Sequence, residues 1–162
     1  MTSRQARVKV DEGEAGVYHL CSRVAGPKGW YPLADATYQK KLLDLIQYYA
    51  GNFHCKVYGL CIMGNHYHLI VEFLKPRKLP RMFLKKKANM FYPRSAAHIE
   101  LWDDDKWNKF EKRLFNVSEF MRSLNRAFTW WYNTQTNSRA LGSNQHKADI
   151  LVLLVLSSRW LI

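Results

Sequence analysis

Two rhythms run through the apolar positions of this chain. Asp35 to Ala50 sets Leu42, Leu43, Leu45, Ile46 and Tyr49 on one stripe at helical spacing, which predicts an amphipathic helix. Val17 to Val24 alternates weakly but is rich in β-forming residues and reads as a strand. Phe53 to Met63 and His66 to Phe73 read as two further strands, with Gly64-Asn65 between them as a tight hairpin turn. In the second of these the alternation is sharp. Tyr67, Leu69, Val71 and Phe73 share one uniformly apolar face, and His66, His68, Ile70 and Glu72 share the other. If the turn has two residues, Met63 lies opposite His66 and Cys61 opposite His68. Gly59 then falls on the histidine face, where its missing side chain lets a ligand or backbone approach. Asn116-Val117-Ser118-Glu119 fits a capping box, with Glu119 reaching back to the capping amide, and Phe120, Leu124, Ala127, Phe128 and Trp131 follow at helical spacing. Residues 1–15 are polar and read as a flexible arm, and Gly26-Pro27-Lys28-Gly29 as a turn.

Size adds that 162 residues suit one domain with a real core, and 14% aromatic with 48% hydrophobic residues argues for a folded chain. A net charge of +12 favours a polyanionic partner. An anionic membrane surface is the other host for such charge, but the longest apolar run, Ile150 to Leu156, is too short to span a bilayer. The N-terminus lacks the apolar core of a signal peptide, and Cys21, Cys55 and Cys61 show no disulfide framework, so the expected setting is a reducing cytoplasm. Lys75 to Arg94 carries eight basic residues and no acidic one, including Lys85, Lys86 and Lys87 beside Phe83, Phe91 and Tyr92. Such a run is either a solvated face or a surface that neutralises phosphates while rings stack unpaired bases. Arg122 and Arg126, four apart on the late helix, can track one phosphate strand. Asp103-Asp104-Asp105 reads as an exposed acidic loop rather than a cation site.

His66-Tyr67-His68 is the candidate for chemistry. Two imidazoles at i and i+2 of a strand can share one divalent ion and leave positions open for water or a phosphate oxygen. The alternative is two histidines on a solvated face. Four segments carry a resemblance that bears on the choice: Tyr18-His19-Leu20-Cys21-Ser22-Arg23-Val24, Met63-Gly64-Asn65-His66-Tyr67-His68, Leu114 to Met121, and Ser123 to Asn133. In that order they resemble the REP-associated tyrosine transposases, single-strand DNA transposases whose HUH motif is His, a bulky hydrophobic residue, His. The resemblance runs from about residue 16 to about residue 138.

The resemblance implies an α+β fold, an antiparallel sheet with helices packed on it in a ferredoxin- or RRM-like sandwich. It implies a transposase-like domain over residues 16–145 and an aberrant apolar tail over 146–162. It also implies Mg²⁺ or Mn²⁺ on His66 and His68, single-stranded or hairpin DNA as partner, and a monomer or homodimer. Lys85, Lys86, Lys87, Arg94, Arg122 and Arg126 are the DNA-binding candidates. The implied reaction is transesterification, in which a tyrosine oxygen attacks a phosphodiester and holds the 5′ phosphate while a 3′ hydroxyl leaves. In relatives that tyrosine lies on a helix after the segment resembling Ser123 to Asn133, with a polar metal ligand one turn on. The corresponding tail here contains no tyrosine and has the look of a frameshift or truncation. Tyr132 is the last tyrosine and the late candidate nucleophile, with Gln135 as a third metal ligand. Three other readings stay open: a DNA-binding remnant without cleavage, a zinc-stabilised module using Cys61 and Cys55 with the histidines, and a hydrolytic nuclease with a histidine general base.

Overall fold

A computed structural model describes residues 14–24, 28–136 and 150–155 of the chain. Its elements are β1 (Gly16–Val24), α1 (Ala36–Asn52), β2 (Cys55–Ile62), β3 (His66–Phe73), α2 (Arg81–Phe91), α3 (Ala96–Ile99), α4 (Asp104–Leu114), α5 (Val117–Gln135) and β4 (Ile150–Val155). The sheet is antiparallel with strand order β2-β3-β1-β4. With α1 and α5 as the two crossover helices this is the βαββαβ, ferredoxin-like arrangement, and α2 to α4 form an insertion between β3 and α5. The fold is therefore α+β.

The hairpin forms as the alternation dictates. Met63 N donates to His66 O at 2.8 Å, Cys61 pairs with His68 and Ile62 with Tyr67. Gly64 is required for space: a Cβ there would lie 2.9 Å from the Tyr31 ring. The carbonyls of Gly64 and Asn65 accept from Leu33 N (2.8 Å) and Val24 N (2.9 Å), which ties the turn to the rest of the fold. One irregularity changes the expected faces. A bulge between Val57 and Gly59 reverses the alternation, so Cys55 pairs with Phe73 and packs on the core instead of lying on the histidine side. Burial pushes its thiol up to about 12.

Tyr18, Leu20 and Val24 of β1 and Tyr67, Leu69, Val71 and Phe73 of β3 are buried against Leu42 and Ile46 of α1 and Phe120, Met121, Leu124, Phe128 and Tyr132 of α5. Asp35 caps α1 by accepting from Thr37 N at 2.7 Å. Asn116 caps α5 by accepting from Ser118 N and Glu119 N at 2.9 and 3.1 Å. The return half of that capping box does not form: Glu119 turns to Arg122 at 3.0 Å and Arg113 at 3.6 Å.

A buried polar contact joins the sheet to α5. Tyr67 Oη donates to Asn125 Oδ1 at 2.8 Å, and Ser22 Oγ donates to the same oxygen at 3.3 Å. Asn125→Ala strands both hydroxyls in the core and is expected to destabilise the fold by about 1–3 kcal/mol. Urea denaturation checks this, and an unchanged midpoint would show that the hydroxyls find other acceptors.

One unassigned stretch is placed and two expectations are corrected. The basic stretch contains helix α2, which buries Leu84 and Ala88 in a second cluster with Ile99, Trp107, Phe110 and Leu114. The acidic triplet is a helix start rather than a loop: Asp103 caps α4 by accepting from Lys106 N at 2.8 Å, with Asp104 and Asp105 in the first turn, where carboxylates suit the helix dipole. The described part of the apolar run read as an aberrant tail, Ile150–Val155, pairs antiparallel with β1, Val24 facing Ile150 and His19 facing Val155. A third backbone ladder thus continues the sheet beyond residue 145. The loose arm lies outside the described residues up to residue 13; Glu14 is described and ion-pairs with Lys75 at 2.8 Å.

Candidate functional site: the open face of the sheet

The helices cover one face of the sheet, and β1 and β3 place their other face outward. His66 and His68 lie there as the alternation requires, their rings 5.1 Å apart and nearly perpendicular. Antiparallel pairing of β1 with β3 brings two residues that strand-by-strand reading missed. Arg23 lies directly opposite His66, and Cys21 opposite His68, so that His19, two residues earlier on β1, reaches His68 diagonally. His19 Nε2 is 2.9 Å from His68 Nδ1, with the rings stacked at 5.0 Å. The signal was present in the first strand, since His19, Cys21 and Arg23 share one parity. Only the register says which residues of β3 they meet.

These neighbours orient the histidines. His66 Nδ1 lies 2.9 Å from Asn65 Oδ1, an acceptor that fixes the proton on Nδ1 and leaves the Nε2 lone pair outward. His68 Nδ1 is likewise engaged, by His19. Burial, the neighbouring His68 and the Arg23 guanidinium hold the His66 imidazole below its ordinary range, so it is neutral, the form that ligates metals. Two imidazoles side by side fit a weakly held divalent ion with positions left for water and phosphate oxygens. Among the described residues no group of three or more His, Cys, Asp and Glu side chains is arranged to hold a metal. Glu72, on the same face, accepts from Tyr58 Oη at 2.6 Å and faces Lys56 at 3.9 Å. For the zinc reading, Cys61 is exposed, opposite His68 and 3.8 Å from Met63 Sδ, but Cys55 is removed to the core.

The structure does not bring Tyr132 to the histidines. It sits on α5 against the opposite, helix-covered face, 6% exposed, with its ring 5.9 Å from Trp30 and 5.0 Å from Tyr38. Burial raises its hydroxyl above the ordinary tyrosine range, the wrong direction for a nucleophile. Gln135, one turn on, is exposed at the end of the same helix. Tyr67 and Tyr18 are core residues, as their strand positions require.

The basic candidates scatter rather than line up. Lys85 pairs with Glu100 at 2.6 Å. Lys87 donates to Gly51 O at the C-terminus of α1 and lies 5.4 Å over the Phe83 ring, a structural cap; burial and then Lys86 lower its ammonium. Lys86 and Arg94 are exposed, as are Arg122, held by Glu119, and Arg126. Consecutive helical residues point about 100° apart, which is why a lysine triplet on a helix cannot form one patch.

His54 supplies a pH prediction. It stacks on Phe115 at 4.5 Å, its Nε2 is buried without a hydrogen-bond partner, and burial, then Arg77 and Lys87, depress its imidazole below the ordinary 6.5. A histidine with a lowered folded value binds fewer protons folded than unfolded. Stability is therefore complete above 6.5 and falls as the pH drops through that value towards the folded one. The thermal midpoint of wild type is expected to fall between neutral and mildly acid pH, and His54→Phe to flatten part of that slope, with His66 contributing in the same direction. Parallel slopes in the two proteins would assign the acid sensitivity elsewhere.

No helix among the described residues is long and apolar enough to cross a membrane. No family model matches the chain, and no curated protein matches it. Among solved structures it is similar to a REP-associated tyrosine transposase bound to a REP hairpin, at 9% identity and a TM-score of 0.46 over 98% of this chain and 64% of that one. It is also similar to a candidate transposase from Deinococcus radiodurans R1, at 14% identity and a TM-score of 0.44 over 96% of this chain and 87% of that one. This chain thus spans 64% of the length of the first of these structures. At these scores neither likeness assigns an activity.

Proposed function

We propose that this chain is a transposase-like DNA-binding protein of the HUH kind, which takes single-stranded or hairpin DNA on the open face of its sheet. The observation that carries the reading is the pair of histidines on that face, each with Nδ1 engaged, beside the exposed guanidinium of Arg23, which has no ion pair among the described residues. His66 and His68 would hold Mg²⁺ or Mn²⁺, which supplies Lewis-acid polarisation of a phosphate. Arg23 would bind a phosphate oxygen, His19 and Asn65 would keep the imidazoles in the ligating tautomer, and the net charge of +12 would draw in the strand. Strand cleavage through a phosphotyrosine needs a hydroxyl on this face. The burial of Tyr132 behind the sheet favours binding without covalent chemistry by that residue.

The test is incubation with labelled hairpin DNA and Mn²⁺ over a salt series. Binding that weakens steeply with salt, with no denaturation-resistant adduct lost in Tyr132→Phe, is expected. A salt-insensitive complex or no DNA binding at low salt would remove the proposal. An adduct that vanishes in Tyr132→Phe would make Tyr132 the nucleophile after all.

A further inference from the structure

The insertion between β3 and α5 carries a cleft of about 380 Å³ whose walls include none of the strands. Its aromatic lining is Tyr92, Trp102 and Phe110, and its cationic lining includes Lys106, Lys109 and Arg113; no carboxylate lines it. The sequence explains the composition. Lys106, Lys109, Phe110 and Arg113 follow at i, i+3, i+4 and i+7 along α4, so one helix face presents three cations around a ring. Tyr92 and Trp102 come from the segments on either side of α3.

Three rings with three cations and no lining acid is the complement of an aromatic group that carries negative charge. Trp102 meets Phe110 and Tyr92 edge to face, at 5.6 and 5.7 Å, rather than in a closed stack. Lys106 Nζ lies over the Trp102 ring at 5.0 Å and has no ion pair among the described residues. The other two cations are partly occupied. Lys109 faces Asp105 at 2.5 Å, and Arg113 is fixed by Tyr92 Oη, by Ser123 Oγ at 3.0 Å and by Glu119 at 3.6 Å. Lys106 is therefore the movable member. Its ammonium occupies the indole face through a weak cation–π contact that a flat base would replace by stacking.

We infer that this cleft binds one unpaired nucleotide of a DNA strand, its base stacked on Trp102 and its phosphate met by Lys106 with Lys109 behind it. The inference rests on the reading that the partner is DNA with a single-stranded portion. It adds a second anchoring point, away from the histidine face, that responds to an unpaired base.

The experiment compares a hairpin carrying a short single-stranded flank with the same hairpin blunt, with thymidine monophosphate as competitor. Trp102→Ala is expected to weaken binding of the flanked hairpin about tenfold, as loss of one base stack does, and to leave the blunt one unchanged. Because Trp102 also packs on Trp107 at 4.9 Å, the exposed Lys106→Ala serves as the second variant. It should reduce the slope of log affinity against log salt by about 0.7 for the flanked hairpin, one single-strand phosphate contact. Equal binding of both hairpins by wild type, unchanged in either variant, overturns the cleft and leaves the DNA reading standing. Thymidine monophosphate binding at the cleft without binding of the flanked hairpin overturns the strand assignment in favour of a free nucleotide. No binding of any probe overturns both readings.

Discussion

The His66→Ala/His68→Ala double variant is expected to lose Mn²⁺ affinity by more than about 100-fold while keeping its fold. The expected size follows from the coordination: changing even an outer partner of a metal-bound histidine typically costs about 10–100-fold, and removing both ligands must exceed that. The fold should survive because both side chains lie on the open face, whereas the residues that hold the hairpin in place, Tyr67, Leu69 and Val71, are on the other. His19→Ala should fall between wild type and the double variant, by about tenfold, because it frees the His68 ring without removing the donor atom. Isothermal titration with Mn²⁺, together with far-ultraviolet circular dichroism, measures both. Wild-type affinity in the double variant would remove the metal from this site, and His19→Ala equal to wild type would reduce its contact with His68 to packing.

Phe120→Ala is expected to cost about 3–5 kcal/mol, the range for deleting a buried aromatic ring. Phe120 is fully buried at the start of α5 and meets Phe53 at 5.4 Å and Phe73 at 5.7 Å, so one side chain joins this helix, the entry to β2 and the end of β3. A domain of this size is stable by roughly 5–15 kcal/mol, so the variant should lie near the edge of folding at ambient temperature. Urea denaturation followed by circular dichroism gives the difference directly. Leu101→Ala, at a side chain 81% exposed, is the control that should change little. A loss for Phe120→Ala no larger than the control's would mean that α5 does not depend on this contact.

The sequence by itself determined the elements whose signal is periodic and local. The two faces of His66–Phe73, the helix following Asp35, the hairpin at Gly64-Asn65 and the helix capped by Asn116 all follow from residues within a few positions of one another. The histidine pair was legible for the same reason, since alternation alone puts i and i+2 together. Helix α2 was obscured because its apolar positions, Leu84 and Ala88, are sparse within a lysine-rich run, so charge masked the period.

Tertiary structure alone decided what depends on pairing between distant strands and on which face a helix covers. Register brought His19 and Arg23 to the histidines, and a single bulged residue sent Cys55 to the core. The apolar run at Ile150–Val155 reads as an orphan until β1 is seen to offer a free edge, where its backbone groups find hydrogen-bond partners. Tyr132 is the last tyrosine in the chain, yet α5 packs it behind the sheet. One turn of a helix decides between core and solvent, and the choice is made by the summed burial of Phe120, Leu124 and Phe128 rather than by anything local to the tyrosine.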